Sequence, residues 1–259
     1  MLEFAPLTID QIGEKAPSVL ATEPIDRVSS KYSFVSTIDA VELIMGSGWK
    51  PVDAKESVTR AEGKKGFQSH LIRFTMGDAI TKLGEERMDL LLYNSHDGLS
   101  SFQLSMGLFR LVCSNGLVVG DPSTSFRHKH INFDQDAFVV SVQDIANSGS
   151  RIAQKVEDYK LIELSPDEKG AYAMAASELI SDEPEEVNKY DLVRARRYGD
   201  RKDTLWHTYN NVQENIIRGG VRRQGKNRTR KLSSIQKDIK LNKALWTLTE
   251  KMAEIRAAA

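Results

Sequence analysis

The chain has 259 residues, 40% apolar and 28% charged, which allows a sizeable core and lies outside the composition of disordered chains. Its 36 basic and 36 acidic side chains cancel; no apolar run approaches the roughly eighteen residues of a membrane span, and the N-terminus lacks the layout of a secretory signal. The lone Cys113 excludes an internal disulfide framework and a cysteine-rich zinc site, so the expectation is a cytoplasmic protein without a membrane anchor.

Thr8 is placed to cap a short helix through Ile9 and Ile12, and Pro17 argues against its continuing. Residues 32–36 alternate like a strand. Thr37 then opens a helix with Val41, Ile44 and Met45 inward, ended by Gly46 and Gly48. Strand-like runs follow at 49–60, 67–76 and 87–93. The least polar stretch runs from Phe102 to Val119, where Phe102, Leu104, Met106 and Leu108 mark the buried face of a strand. Asn115-Gly116 signals a turn, and a further strand is read at 125–133.

Beyond Asp134 the period changes from two to about 3.6. Ala137, Val140, Asp144, Ile145, Ser148 and Ile152 outline a helix that Gly149 weakens. Ser165-Pro166-Asp167-Glu168 has the N-cap, proline and first-turn acids of a helix start. Asp203 is placed to cap a helix with Leu205, Tyr209, Val212 and Ile216 on one face, stopped by Gly219-Gly220. Ser233 or Ser234 opens a long helix with a stripe of Leu241, Leu245, Leu248, Met252 and Ile255. Segregated strands and helices make the fold class α+β: an antiparallel strand-rich part over 1–160 and a helical part over 161–259, read as one continuous domain.

Charge is distributed unevenly. Residues 157–193 hold 3 basic and 11 acidic side chains, whereas 194–231 hold 12 basic and 3 acidic. Arg218, Arg222, Arg223, Lys226, Arg228, Arg230 and Lys231 fall within fourteen residues that contain no acid. Such a cluster is stable only if solvated or facing an anion. The anion is either the preceding acidic stretch, in the same chain or across a subunit boundary, or an external ligand.

Enzyme signatures are sparse. His128 and His130 form His-x-His, which with Asn94, His96 and Asp97 gives a weak metal-nuclease candidate without a paired-carboxylate motif. Asn94-Ser95-His96-Asp97-Gly98 is read first as a hairpin turn. Cys113 lies in an apolar run, where a thiol behaves as a small hydrophobe. Phosphate-loop, dinucleotide and serine-hydrolase motifs are missing, so no cofactor is expected.

Nucleic acid is the better match. Arg201 and Lys202 join the basic cluster, with Arg110 as an outlying candidate, and arginine forks suit phosphate oxygens. Trp206 and Tyr209 lie just upstream, either as base-stacking rings or as core, with Tyr209 on the apolar stripe. Contact with about six phosphates predicts a log–log salt slope of about −4 and little base preference. On this reading, replacing both Arg222 and Arg223 by alanine weakens binding without altering thermal stability.

Two passages carry a resemblance. Asn94-Ser95-His96-Asp97-Gly98 followed by Phe109-Arg110-Leu111-Val112-Cys113-Ser114-Asn115-Gly116-Leu117-Val118-Val119, and Thr204-Leu205-Trp206-His207-Thr208-Tyr209-Asn210-Asn211-Val212-Gln213-Glu214-Asn215-Ile216-Ile217-Arg218-Gly219-Gly220, resemble a family of phage- and plasmid-encoded proteins of unknown function. In layout alone, the chain is also similar to the single-strand annealing proteins of phage recombination, of the Red-beta and RecT type. That likeness implies an ATP-independent homo-oligomeric ring or filament that holds single-stranded DNA in a basic groove and anneals it, inside a bacterial host. The alternatives are an interaction protein that modulates a host defence or replication factor, and the metal-dependent nuclease.

Overall fold

The computed structural model describes residues 5–76, 82–83, 86–110, 116–118 and 124–258. The fold is α+β, and the chain divides into two compact units, Met1–Gly149 and Ser150–Ala259. No helix among the described residues is long and apolar enough to cross a membrane. The Cys113 thiol and the Ser114-Asn115 turn lie outside the described residues.

The first unit is built on an antiparallel sheet ordered β1 (Lys50–Glu56), β2 (His70–Thr75), β4 (Glu86–Asn94), β5 (Phe102–Arg110) and β6 (Gly116–Val118). The short β3 (Lys82–Leu83) pairs with β4, and β7 (Ser125–His128) pairs with β5. Register aligns Ala54, Ile72, Leu92, Leu104 and Phe126 across five strands, with Phe74, Leu90 and Met106 in the next row. Strand side chains alternate between faces, so these rows form one apolar face. Two helices lie on the sheet side of the unit: α2 (Thr37–Gly46), packing near β1, and α3 (Gln135–Asn147), packing near β5 and β7. They bury Val41 and Ile44, and Phe138, Val142 and Ile145, respectively. The N-terminal α1 (Ile9–Lys15) starts at Thr8 with a capping box closed by Gln11, as its sequence predicts.

Several expectations are corrected here. Residues 32–36 form no strand; the Ser33 N–H donates instead to the His130 carbonyl at 2.7 Å. Met45 is 40% exposed, because Val41 and Ile44 already define the inward side of α2. The apolar pattern over 137–152 belongs to two helices, α3 and α4 (Gly149–Leu161), and Val140 faces outward because Phe138 and Val142 set the buried stripe. The strands read at 49–60 and 125–133 are shorter than their patterns.

The second unit packs α5 (Pro166–Ser177), α6 (Lys189–Val193) and α8 (Ile235–Ala258) around α7 (Leu205–Arg218), with α4 meeting α8 through Tyr159 and Trp246. Ser165 closes a capping box with Glu168 at the start of α5, while α7 is capped by Thr204 in place of Asp203. Twelve consecutive residues of α7, Leu205 through Ile216, are buried. Its apolar side joins Tyr172, Trp246 and Leu245 in the core. Its polar side is buried as well, and serves to hold irregular chain. Asn215 donates to the carbonyls of Leu192 and Arg194, and Asn211 to that of Asp200. Gln213 donates to Asn242 on α8. Along α8, Leu241, Leu245, Trp246 and Thr249 are buried, whereas Ile255 at the end of the expected stripe is 64% exposed.

Candidate nucleic-acid interface

The basic segment begins where α7 ends. Gly219 (φ +70°) and Gly220 (φ +87°) take left-handed backbone that a side chain would oppose. A Cβ on Gly219 would come within 2.6–2.8 Å of the Arg230 and Lys231 backbone, so only glycine lets the returning chain cross here. Residues 221–229 fold into a compact turn closed by Gly220 N–H to Thr229 O at 2.8 Å and Thr229 N–H to Val221 O at 2.9 Å. Leu232 N–H then donates to Ile217 O at 2.9 Å, pinning the segment to α7.

The acidic stretch meets this turn within the same chain. Asn188 N–H donates to Arg222 O at 3.0 Å, and Gln224 N–H to Glu186 O at 2.9 Å. The Arg222 guanidinium donates twice to Asp191, at 2.8 Å each, and its backbone N–H adds a third bond to that carboxylate. These bonds hold the Asp191 carboxyl down at about 2, against the opposing effect of its burial. Lys226 pairs with Glu183 and, at 2.8 Å, with Glu186; Arg223 lies 3.8 Å from Glu186 and 3.9 Å from Glu183. Arg218 pairs with the buried Glu214 at 2.9 Å, a carboxylate shared with Arg197.

Four of the ten expected phosphate ligands are therefore matched to carboxylates of their own chain, which corrects the expectation that the whole cluster faces outward. The pairing also removes the charge basis for a head-to-tail contact between subunits. It corrects the expected test as well, since replacing Arg222 by alanine takes both guanidinium bonds from the nearly buried Asp191 carboxylate and leaves it the backbone N–H alone.

The remaining cations differ. Arg228 donates to the Gly220 carbonyl at 2.9 Å, and the Arg201 guanidinium lies 5.4 Å from the Tyr198 ring centre. No carboxylate among the described residues pairs with Arg201, Lys202, Arg228, Arg230 or Lys231. Arg230 lines a cleft of about 820 Å³ together with Lys237 and Lys240 of α8, two cations the sequence reading missed because they look like an ordinary solvated helix face. Leu179, Ile180, Leu232 and Leu241 also line it, and Glu178 and Asp182 contribute acids to its wall. The structure thus places Arg228 at the end of the turn, with Arg230 and Lys231 on the chain that leaves it, and leaves Arg201 and Lys202 beside a separate, smaller cavity. Arg110 belongs to the first unit, and its side chain lies outside the described residues.

Of the two readings of Trp206 and Tyr209, the structure bears out core over base stacking. Trp206 and Tyr209 are 1% and 0% exposed and stack on each other, ring centres 5.4 Å apart, so neither reaches a base in the folded state.

The histidines form a network in the first unit. His70 and Asn94 face each other across β2 and β4, one step beyond the apolar rows. His70 Nε2 lies 2.8 Å from Thr37 Oγ1 and Nδ1 2.9 Å from Ser18 Oγ, while His96 Nε2 and Asn94 Nδ2 reach the same Thr37 oxygen at 3.1 and 2.9 Å. All five residues are fully buried. Burial, reinforced by mutual repulsion, pushes the His70 ring down to about 3; burial and the nearby His130 push His96 to about 4. His130 is also lowered by burial and stacks on Tyr32 at 4.7 Å. His128 packs instead on Phe126 and Phe133. Asp97 serves the turn, accepting from Ser95 and the Leu99 N–H. No group of three His, Cys, Asp or Glu among the described residues could hold a metal ion. The first part of the Asn94–Gly98 motif is thus interior, and only Asp97-Gly98 behaves as the expected turn.

Comparison with known proteins places this architecture. The chain is 30% identical over 250 residues to the UPF0380 protein YafZ of Escherichia coli K12, covering 95% of this chain and 91% of the relative. Identity to the UPF0380 protein YfjQ of the same organism is also 30%, with the same coverage. No solved structure matches the chain. The pattern of the domain of unknown function DUF932 matches residues 24–246, from before α2 to the middle of α8, and the chain belongs to that family.

Proposed function

We propose that this protein binds single-stranded DNA through its phosphate backbone, along the cations that have no carboxylate of their own. The observation that carries the reading is the group Arg228, Arg230, Lys231, Lys237 and Lys240, on the basic turn and the start of α8, two of them lining the large cleft with Arg230. Guanidinium and ammonium groups held at a cleft wall attract a polyanion, and ion pairing elsewhere on the turn keeps the turn rigid. Five phosphate contacts on a single strand predict a log–log salt slope of about −3.5. Strand annealing by a homo-oligomer in the bacterial cytoplasm extends this reading. It rests on an analogy of layout with the Red-beta and RecT type alone, and it requires self-association that the intrachain ion pairs do not supply.

The test is fluorescence anisotropy of a labelled oligonucleotide across a salt series, with light scattering of the protein alone and with the strand. Arg230→Ala combined with Lys240→Ala weakens binding and flattens the slope by about 1.4, at about 0.7 per contact. Absence of binding at low salt, or salt-independent binding, overturns the proposal. A protein-docking role, modulating a host factor, is favoured by one observation: Glu178 and Asp182 share the cleft with its cations and apolar residues, a mixed lining better matched to a polypeptide than to a phosphate chain.

A further inference from the structure

The second unit has another cavity, of about 190 Å³, that shares no lining residue with the large cleft. At ~30 Å³ per molecule it has room for about six waters, the scale of one small ring. Val193 and Ala195 contribute apolar wall, and Arg201 and Lys202 contribute cations.

Thr208 and Asn211, three residues apart on α7, also line the cavity, and both are more than nine-tenths buried. Asn211 Nδ2 donates to the Asp200 carbonyl at 3.0 Å, which fixes the amide and leaves Oδ1 without a partner. Thr208 Oγ1 has none either. Buried polar atoms without partners are uncommon in native proteins, and two on residues of one wall give this cavity unused hydrogen-bonding capacity. The acids of the wall are engaged: Asp200 by Arg197 at 2.9 Å and Asp203 by Lys169 at 2.5 Å. A ligand for this wall brings an N–H to Asn211 Oδ1, an adjacent acceptor to the Thr208 hydroxyl, a thin apolar body, and an anionic group for Arg201 and Lys202. Fully ionised phosphate fails the first requirement, since its oxygens only accept.

We propose that the cavity binds a pyrimidine nucleotide. The base edge, which sets a donor beside an acceptor in both cytosine and thymine, meets Asn211 and Thr208, and the phosphate meets Lys202 and Arg201 at the rim. The nucleotide comes from the free pool or from a single strand. The inference goes beyond strand binding in the large cleft and stands without it.

Calorimetric titration of the full chain with dCMP and dTMP tests this, against deoxyribose 5-phosphate and inorganic phosphate. Thr208→Val keeps the side-chain shape and removes a hydroxyl without a partner, so the fold is retained and nucleotide affinity falls about tenfold. Lys202→Ala weakens the nucleotides but not the corresponding nucleosides. Failure of both nucleotides to bind at millimolar concentration, unchanged affinity in Thr208→Val, or equal binding of inorganic phosphate overturns the proposal. For the source, a pyrimidine oligonucleotide is compared with an abasic one. Discrimination against the abasic strand, lost in Thr208→Val, assigns the site to the strand. Binding of nucleotides without oligonucleotides assigns it to the free pool, and then the strand-binding reading alone falls.

Discussion

Acidification from about pH 7.5 to about pH 5 should destabilise the first unit through His70 and His96. Their folded values, about 3 and about 4, lie below the 6.5 of an unfolded histidine. Between these limits the unfolded chain binds more protons than the folded one, so stability is full above 6.5 and declines as pH falls through the window. Each tenfold rise in proton concentration costs ~1.4 kcal/mol per ring kept neutral, so about pH 5 removes ~2 kcal/mol per histidine and ~4 kcal/mol for both. The Thr37 and Ser18 hydroxyls and the Gln68 carbonyl can accept from a charged ring, but burial outweighs them and keeps the folded value low. Urea unfolding read by 19F NMR of fluorotryptophan isolates the unit, since Trp49 lies in it and Trp206 and Trp246 lie in the other. His70 and His96 bring the wild-type pH slope toward two protons, to which His130 adds, and His70→Gln removes one proton from it. Equal stability at both pH values, or a His70 ring resonance titrating near 6.5 in the folded protein, refutes the reasoning.

Other expectations follow from particular contacts. Asp191→Ala removes the acceptor of three Arg222 bonds and lowers the stability of the second unit by about 2 kcal/mol in chemical denaturation. In the wild type, the Asp191 contribution is present above the unfolded value of 3.8 and is lost as pH falls toward about 2, which an acid titration of stability detects. Asn215→Ala leaves the Leu192 and Arg194 carbonyls without their donor, costing about 2–4 kcal/mol and speeding amide exchange over 192–200. Gly219→Ala combines a left-handed φ with backbone overlap and costs about 2 kcal/mol or more, measurable as a lower Tm, while Gly220→Ala, with open space around its Cβ, costs less.

Element type was largely legible in the chain, because caps and periodicity act locally. Thr8, Ser165 and the Gly219-Gly220 stop report helix ends through bonds made within a few residues. Alternation from Phe102 to Leu108 likewise reports a strand with one apolar face. The candidate site was less legible, because ion pairing is a long-range property. Nothing near Arg222 in sequence reveals that Asp191, thirty-one residues earlier, takes its guanidinium. Asn94 and His96 looked like turn residues because their composition is that of a turn. Their burial depends on Thr37 and His70, which arrive from α2 and β2. Trp206 and Tyr209 were open between stacking and core until the second aromatic side, Trp246 of α8, was in place.

A helix hidden along twelve successive residues, seven of them polar, has an implication for how this half of the molecule assembles. Its amides and carboxylate find partners on segments that lie before and after it, so no fragment ending at residue 218 can saturate them. Chain emerging from a ribosome would hold this stretch in waiting until the last helix appeared, and truncation before Trp246 should give an insoluble product in place of a smaller folded one.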